Sequence, residues 1–505
     1  MHMRTFKKYI LDLLLILSFL SLFYYLKIVN ILSTEKYVFL FFIYLIITIL
    51  VLVIKDAHPK KIRKIIGIIL CIAMIIANGA GTYFLHSSNS FIDSVADQPG
   101  QQKVSISLYA LKHSEIKNID DLQNRSIGYL EASHTDSLTD SNIDTVFHQL
   151  KTKYAKDKPR KFSKSAYSSS IKLADDFLGQ KVDCMLIDDA KLSAIENTEG
   201  HSNIRSRIRK IYTYSFYKKT VSDKSTSKKD PTKSPFTVLI SGSDSRGSID
   251  EISRSDVDML ATVNPKTHMI LMTSIPRDYY VTTACDSADG CGIGEKDKLT
   301  HTGLHGINTT EKTIESFMNV KIDYNVKVGF DTVTQLVDTL GGIDIYNPQA
   351  FTAMDGQKFA QGYLHLNGTQ ALAFARERYS FKEGDNARGE NQMRILTGIL
   401  TKITQSPSTL SHYGKIMQLL SDTFQTNMPS DKIKALVQYQ LNNSPTWQIY
   451  TDRLSGEGGS AYCYELGDNA SVVFPDEDSI KETKQNIEAI QMGDTPPAAS
   501  ENTNE

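Results

Sequence analysis

Three apolar runs in the stretch 236–278, FTVLISGSDSRGSIDEISRSDVDMLATVNPKTHMILMTSIPRD, end in charged residues. Asp244 and Arg246 follow the first run, Arg254 and Asp256 precede the second, and Arg277 and Asp278 follow the third. Guanidinium suits phosphate because its planar fork donates paired hydrogen bonds and stays charged at any physiological pH. A Mg2+ ion is held by one or two carboxylates together with phosphate oxygens, and such charge neutralisation supplies most of the catalysis of phosphoryl transfer. The residue types therefore fit a phosphorylated substrate, with the arginines on the anion side and Asp244 and Asp256 on the metal side. Pairing of each arginine with a nearby carboxylate is the plainer alternative. A later cluster, AFARERYSFKEGDNARGENQMR, adds Arg376, Arg378, Arg388 and Arg394 and places Arg388 and Gln392 four apart on one helical face.

These side chains need a frame to bring them together. The runs 236–241, 257–263 and 269–275 are β-branched and apolar, with a turn signal at Asn264-Pro265, and predict three strands whose ends carry the charges. Beyond them the sequence predicts a helix over 303–318, a strand over 324–329, a helix over 331–340 stopped by Gly341-Gly342, a strand over 343–347 and helices over 369–376 and 388–403. Strands alternating with helices imply an α/β layered domain with a central sheet over 236–492. Residues 98–218 read as a smaller α/β accessory domain: strands over 103–111 and 182–187, a helical turn and strand over 120–130, and an amphipathic helix over 141–154. It contains no nucleophile–base pair and no glycine-rich phosphate loop. Residues 219–235 have linker composition, and 493–505 that of a disordered tail.

The first 86 residues are of another kind. Apolar stretches at about 9–26, 37–54 and 65–85 are each near the roughly 20 residues that cross a bilayer as a helix. Asp12 makes the first the least secure. Arg4, Lys7 and Lys8 before the first stretch, and Lys60, Lys61, Arg63 and Lys64 between the second and third, put the N-terminus in the cytoplasm and everything after Leu85 outside. A net charge of −1 over 505 residues gives no basic footprint for nucleic acid. Cys285 and Cys291, around the loop DSADG, are the candidate disulfide for an oxidising surface, while Cys184 reads as buried and apolar. His301 and His305 in HTGLHG lack the glutamate of a zincin and are expected to be structural.

The sequence resembles the LytR–CpsA–Psr family of bacterial cell-envelope phosphotransferases. The resemblance rests on GSDSRG (242–247), RSDVDML (254–260), SIPRDYYV (274–281), DKLTHTGLHG (297–306), LVDTLGGIDI (336–345), LNGTQALAFARERYS (366–380) and GDNARGENQ (384–392). Three spans followed by an extra exported domain are similar to the CpsA-type branch of capsule and exopolysaccharide operons in Gram-positive bacteria. The resemblance implies an α-β-α catalytic domain, an apolar pocket for a polyprenyl chain, and arginines at its mouth for the pyrophosphate. It implies transfer of a capsular, exopolysaccharide or teichoic-acid-type glycopolymer from undecaprenyl pyrophosphate to peptidoglycan, with Mg2+ as cofactor (Mn2+ as the alternative ion) and other capsule-assembly membrane proteins as further partners. By position, Asp244 and Asp256 match metal-associated aspartates. Arg246, Arg254, Arg277, Arg376, Arg378 and Arg388 match head-group arginines, and Asp278 and Gln392 fall in the same motifs. Arg246, Arg254, Arg277 and Asp278 are the expected catalytic set. Many members have Arg-Gln where this chain has Asn391-Gln392, which leaves one phosphate contact to be lost or supplied by Arg394. A regulatory or scaffolding protein and a polyprenyl-pyrophosphate phosphatase are the alternatives.

Overall fold

The computed structural model describes all residues except 1, 31, 57–60, 96–100, 132–136, 154–158, 220–226, 244–248, 287–289, 383, 406–423, 498 and 502–505. Three helices open the chain: α1 (His2–Val29), α2 (Thr34–Asp56) and α3 (Lys61–Val95). Their segments Tyr9–Val29, Thr34–Asp56 and Ile62–Ser87 are long and apolar enough to cross a membrane. Asp12, which made the first segment the least secure, forms an ion pair with Lys55 inside the bundle. Tyr44 Oη donates to Asn78 Oδ1 (2.7 Å) and Asn78 Nδ2 to Ser18 Oγ (3.0 Å), so these polar groups are satisfied between helices, as hydrocarbon surroundings require.

The accessory domain is a mixed five-stranded sheet in the order β3-β2-β4-β1-β5. Its elements are β1 (Gln101–Leu111), β2 (Ser126–Leu130), α4 (Ser137–Thr152), β3 (Ser163–Tyr167), α5 (Ser170–Leu178), β4 (Cys184–Asp188), α6 (Asp189–Glu196), α7 (Ile204–Arg207) and β5 (Ile208–Lys219). Strand β2 lies parallel to both β3 and β4. The chain leaves β2 for one neighbour through α4 and returns across it through α5 to the other.

The second domain is built on β6 (Phe236–Ser243), β7 (Val257–Asn264) and β8 (Met269–Ile275), the three predicted strands, which pair antiparallel in sequence order. There follow β9 (Tyr280–Thr282), β10 (Lys296–Lys298), α8 (Leu299–Thr302), α9 (Ile307–Met318), β11 (Tyr324–Gly329), α10 (Phe330–Thr339), β12 (Ile343–Asn347), β13 (Phe351–Thr352), β14 (Lys358–Phe359), β15 (Gly362–Leu366), α11 (Gly368–Arg376) and α12 (Asp385–Gln405). Then come β16 (Phe424–Thr426), a helix over Ser430–Asn443, β17 (Gln448–Arg453), β18 (Gly456–Cys463), β19 (Asp468–Pro475), a helix over Glu477–Met492 and β20 (Ser500–Glu501). The central sheet runs β16-β11-β6-β7-β8-β17-β20 and is mixed, since β11 joins β6 and β17 joins β8 in parallel. Alternation along the strands fills both faces. Val257, Met259, Ile270 and Met272 pack with Met393 of α12 on one face, and Leu239, Leu260 and Leu271 pack with Ile314 of α9 and Ile487 on the other.

The structure adds four details to these expectations. The helix expected over 303–318 is broken at Gly306, whose φ of 106° belongs to glycine, so that α9 starts afresh at Ile307. Strand β12 pairs with β15 in a separate ribbon rather than joining the central sheet. The second half of the expected linker is tied down, because Ser227 and Lys229 both bond the buried carboxylate of Asp323 (2.9 Å each). Residues 500–501 of the expected tail pair with β17.

Candidate active site

Because β6 and β8 run opposite to β7, the end of β6, the start of β7 and the end of β8 meet at one edge of the sheet, with Gly242 opposite Val257 and Asp258 opposite Ile275. Pro276 follows β8 and directs the chain through a turn closed by Tyr279 N–H to Pro276 O (3.1 Å). Arg277 in that turn bonds Asp256. Arg254 Nη2 lies 3.3 Å from the other oxygen of Asp256, and Thr300 Oγ1 donates to the first (3.3 Å). Thr300 is held in place by its own backbone, with its N–H on Arg277 O (2.8 Å) and its carbonyl accepting Ser255 N–H (3.0 Å).

A cavity of about 450 Å3 opens over this edge, lined among others by Asp256, Arg277, Arg376, Arg378, Arg388 and Gln392. The two clusters expected from sequence therefore form facing walls. Arg376 ends α11, where the helix dipole favours a cation. Glu377 folds the next residues back over the cavity by accepting Met354 N–H (2.8 Å) and Ser380 N–H (2.9 Å), and the Arg378 guanidinium lies 4.6 Å over the Tyr379 ring. Arg388 occupies the first turn of α12, and Gln392 lies one turn further on the same face.

Other expected site residues lie elsewhere. Arg254 is 3% exposed and does not line the cavity; it backs Asp256 from inside the domain. Asp278 is half-buried beneath Arg277. Burial alone would raise its pKa, but Arg277 and Lys298 outweigh that and hold the carboxyl below its ordinary value. Arg394 turns to Asn391 Oδ1 (3.0 Å) and Glu390 Oε2 (3.1 Å) rather than to the cavity, so it does not supply the phosphate contact suggested by the Asn391-Gln392 departure. Asp244 and Arg246 lie outside the described residues. Cys285 and Cys291 form a disulfide. His301 bonds Asp297 (2.6 Å) and His305 bonds Glu465 (2.7 Å), both buried.

Sequence reasoning missed Glu377, Tyr379, Met354, Asp355 and, from the accessory domain, Asn197, all of which line the cavity. Glu377 and Tyr379 were within reach, the first between the flagged Arg376 and Arg378 and the second directly after them; nothing in the sequence singles out Asn197. It also missed Asp258, whose carboxyl is pushed up to about 8 by complete burial. Among the described residues no group of three or more His, Cys, Asp or Glu is placed to hold a metal by protein ligands alone. A second, apolar cavity of about 750 Å3 lies at the other end of α12, with Phe236, Val263, Ile270, Leu400, Ile403 and Trp447 on its walls.

A family model described as the LytR_cpsA_psr family matches residues 206–489. The chain belongs to the LytR–CpsA–Psr family. The curated relative named polyisoprenyl-teichoic acid–peptidoglycan teichoic acid transferase TagU from Bacillus anthracis is 35% identical over 234 residues, 46% of this chain and 74% of the relative. The protein of the same name from Bacillus subtilis (strain 168) is 32% identical over 268 residues, 51% of this chain and 79% of the relative. Among solved structures, B. subtilis TagU aligns at 30% identity with a TM-score of 0.38, covering 52% of this chain and 97% of that one. The family match begins inside α7 and takes in β5, so the helical bundle and most of the accessory domain lie outside it.

Proposed function

We propose that this LytR–CpsA–Psr protein is a membrane-anchored phosphotransferase that moves a capsular, exopolysaccharide or teichoic-acid-type glycopolymer from undecaprenyl pyrophosphate to peptidoglycan. The observation that carries the reading is the convergence of Arg277, Arg376, Arg378 and Arg388 on one cavity that also holds Asp256. That donor set fits a pyrophosphate, whose charge is spread over several oxygens. The apolar cavity at the far end of α12 fits the prenyl chain. Leu400 and Ile403 are more than three helical turns, roughly 20 Å, from Arg388. The positive-inside pattern of Arg4, Lys7, Lys8 and Lys64 supports the placement of both exported domains outside the cell.

In this reading an acceptor hydroxyl oxygen bonds to the sugar-linked phosphorus, the bridging P–O bond breaks, and prenyl phosphate leaves with the electron pair, while the hydroxyl proton passes to solvent or to the departing phosphate. The arginines bind both phosphates and neutralise the charge that gathers on the bridge and the equatorial oxygens. Arg254 and Thr300 fix Asp256 and so fix Arg277. Asp256, the one expected metal ligand among the described residues, fits Mg2+ when phosphate oxygens and water complete the shell, and the ion would add further charge neutralisation there.

The test is the purified full chain in a lipid nanodisc, given a prenyl-pyrophosphate-linked saccharide, Mg2+ and peptidoglycan. Saccharide joined to the wall through phosphate is the expected result. Phosphate release without joining would move the assignment to a phosphatase, and neither product, with no binding of the donor, would leave a regulatory or scaffolding role.

A further inference from the structure

The accessory domain has the layout of an open α/β sheet with a topological switch point between β2 and β4, and such sheets take ligands in the crevice beyond their strand ends. Here that crevice is filled from within the chain, by the turn between β18 and β19. The carbonyl of Leu466 accepts the N–H groups of Ser170 (3.0 Å) and Ile171 (3.4 Å) at the start of α5, and the hydroxyls of Ser169 (3.1 Å) and Ser170 (3.0 Å). Leu466 packs into the accessory-domain core with Ile171, Leu173 and Phe177. The buried Glu465 carboxylate lies between Lys191 Nζ of α6 (2.9 Å) and His305 Nε2 (2.7 Å). Burial opposes its ionisation, but Lys191 and His305 outweigh burial and hold the carboxyl far below its ordinary value. Three buried polar side chains from two domains thus depend on one another, and removing one strands the rest.

Docking in this position brings the end of α6 to the substrate cavity. Asn197 caps α6, its Nδ2 bonds Ser193 O (2.9 Å), and the exposed residue lines the same cavity as Arg376 and Arg388. The neighbouring rim is chemically unlike the arginine floor. Tyr379 is 67% exposed, and Asp355 is an exposed carboxylate that would repel phosphate. An aromatic face takes the C–H side of a sugar ring, and a carboxamide or carboxylate bridges its hydroxyls.

We propose that the docked accessory domain completes the substrate cavity, with Asn197 and Tyr379 forming a saccharide subsite next to the phosphate-binding arginines. This rests on the pyrophosphate reading above and names the part of the substrate that the accessory domain touches. Asn197 is a specificity residue. Glu465 is a positioning residue, whose N–H on Asp297 (2.7 Å) also ties the turn to the segment that presents Thr300 to Asp256.

The experiment measures binding of two probes to the full chain in nanodiscs: a short-chain prenyl pyrophosphate, and the same lipid bearing one N-acetylhexosamine. Asn197→Ala should leave the affinity for the sugar-free probe within about twofold and weaken the glycosylated probe roughly 5- to 20-fold, the loss of one or two hydrogen bonds. Lys191→Met should reproduce that selective loss by undocking the domain, and Asn197→Ala, at an exposed position, keeps the test valid even where Lys191→Met misfolds. Equal losses on both probes, or no loss on either, overturn the inference. Failure of the unsubstituted chain to bind the sugar-free probe overturns the pyrophosphate reading, and this inference falls with it.

Discussion

Arg388 sits at a helix end that disfavours a cation, and this makes its replacement informative. It lies in the first turn of α12, where the positive end of the helix dipole disfavours a cation by about 0.3–1 kcal/mol. Attraction to Asp278 offsets part of this cost. Alanine is the better helix former at the position. In Arg388→Ala the dipole and propensity gains therefore offset what the loss of its ion-pair partners costs, and the thermal midpoint should move little. Binding should behave oppositely. Loss of the charge-assisted hydrogen bonds of one guanidinium to phosphate is worth about 1.5–3 kcal/mol, or roughly 10- to 150-fold in Kd. The assay is titration of the full chain with a short-chain prenyl pyrophosphate alongside a thermal melt. A fall of several degrees in the midpoint with unchanged Kd would refute the reasoning, since Arg388 would then be a structural residue and the cavity would have lost its main argument as an anion site.

Two further outcomes follow from other parts of the fold. A Cβ at Gly303 would lie 2.4 Å from Ser255 N and 2.8 Å from Arg254 C, so Gly303→Ala should push the backbone beneath Asp256, cost roughly 1–3 kcal/mol in a denaturant melt and weaken prenyl-pyrophosphate binding together with it; stability lost with binding intact would show that the segment does not position the site. Burial raises the Asp188 carboxyl to about 6, so the folded chain takes up a proton there; the stability of the protonated form is full below about pH 4, the ordinary carboxylate range, and is lost as pH rises through 6. Asp188→Asn keeps the cap on Ala190 N–H and escapes that loss, and its free energy of unfolding in a denaturant melt should match the parent's near pH 4 and exceed it at pH 8 by on the order of 1–2 kcal/mol; a difference that does not vary with pH would contradict the assignment.

Much of the frame was readable because it rests on local periodicity. The three strands of the central sheet, the helices α10 to α12 and the facing arginine groups follow from apolar spacing and from glycine at the helix ends. The direction of individual side chains does not. Arg254 and Arg277 look equivalent in sequence, yet Arg254 is enclosed behind Asp256 while Arg277 reaches the cavity, a difference set by how α8 and Ser255 pack across the strand ends. Asn197 was illegible because its place depends on a turn more than 260 residues further on, through Glu465 and Leu466. Composition likewise could not show that Asp323, buried in the catalytic domain, gathers Ser227 and Lys229 of the expected linker onto the surface.

The length of α3 has a consequence for how the enzyme meets its substrates. Thirty-five helical residues span roughly 50 Å, against about 30 Å of hydrocarbon, so the helix projects well past the bilayer. The helix over Ser430–Asn443 rests on α3, and Lys36 Nζ, in the first turn of α2, donates to Asn442 O (3.1 Å). The catalytic domain thus packs against the helices that carry it. For the lipid-linked donor proposed above, the search would become a two-dimensional one in the plane of the membrane, and the acceptors within reach would form a thin layer at one height above that plane.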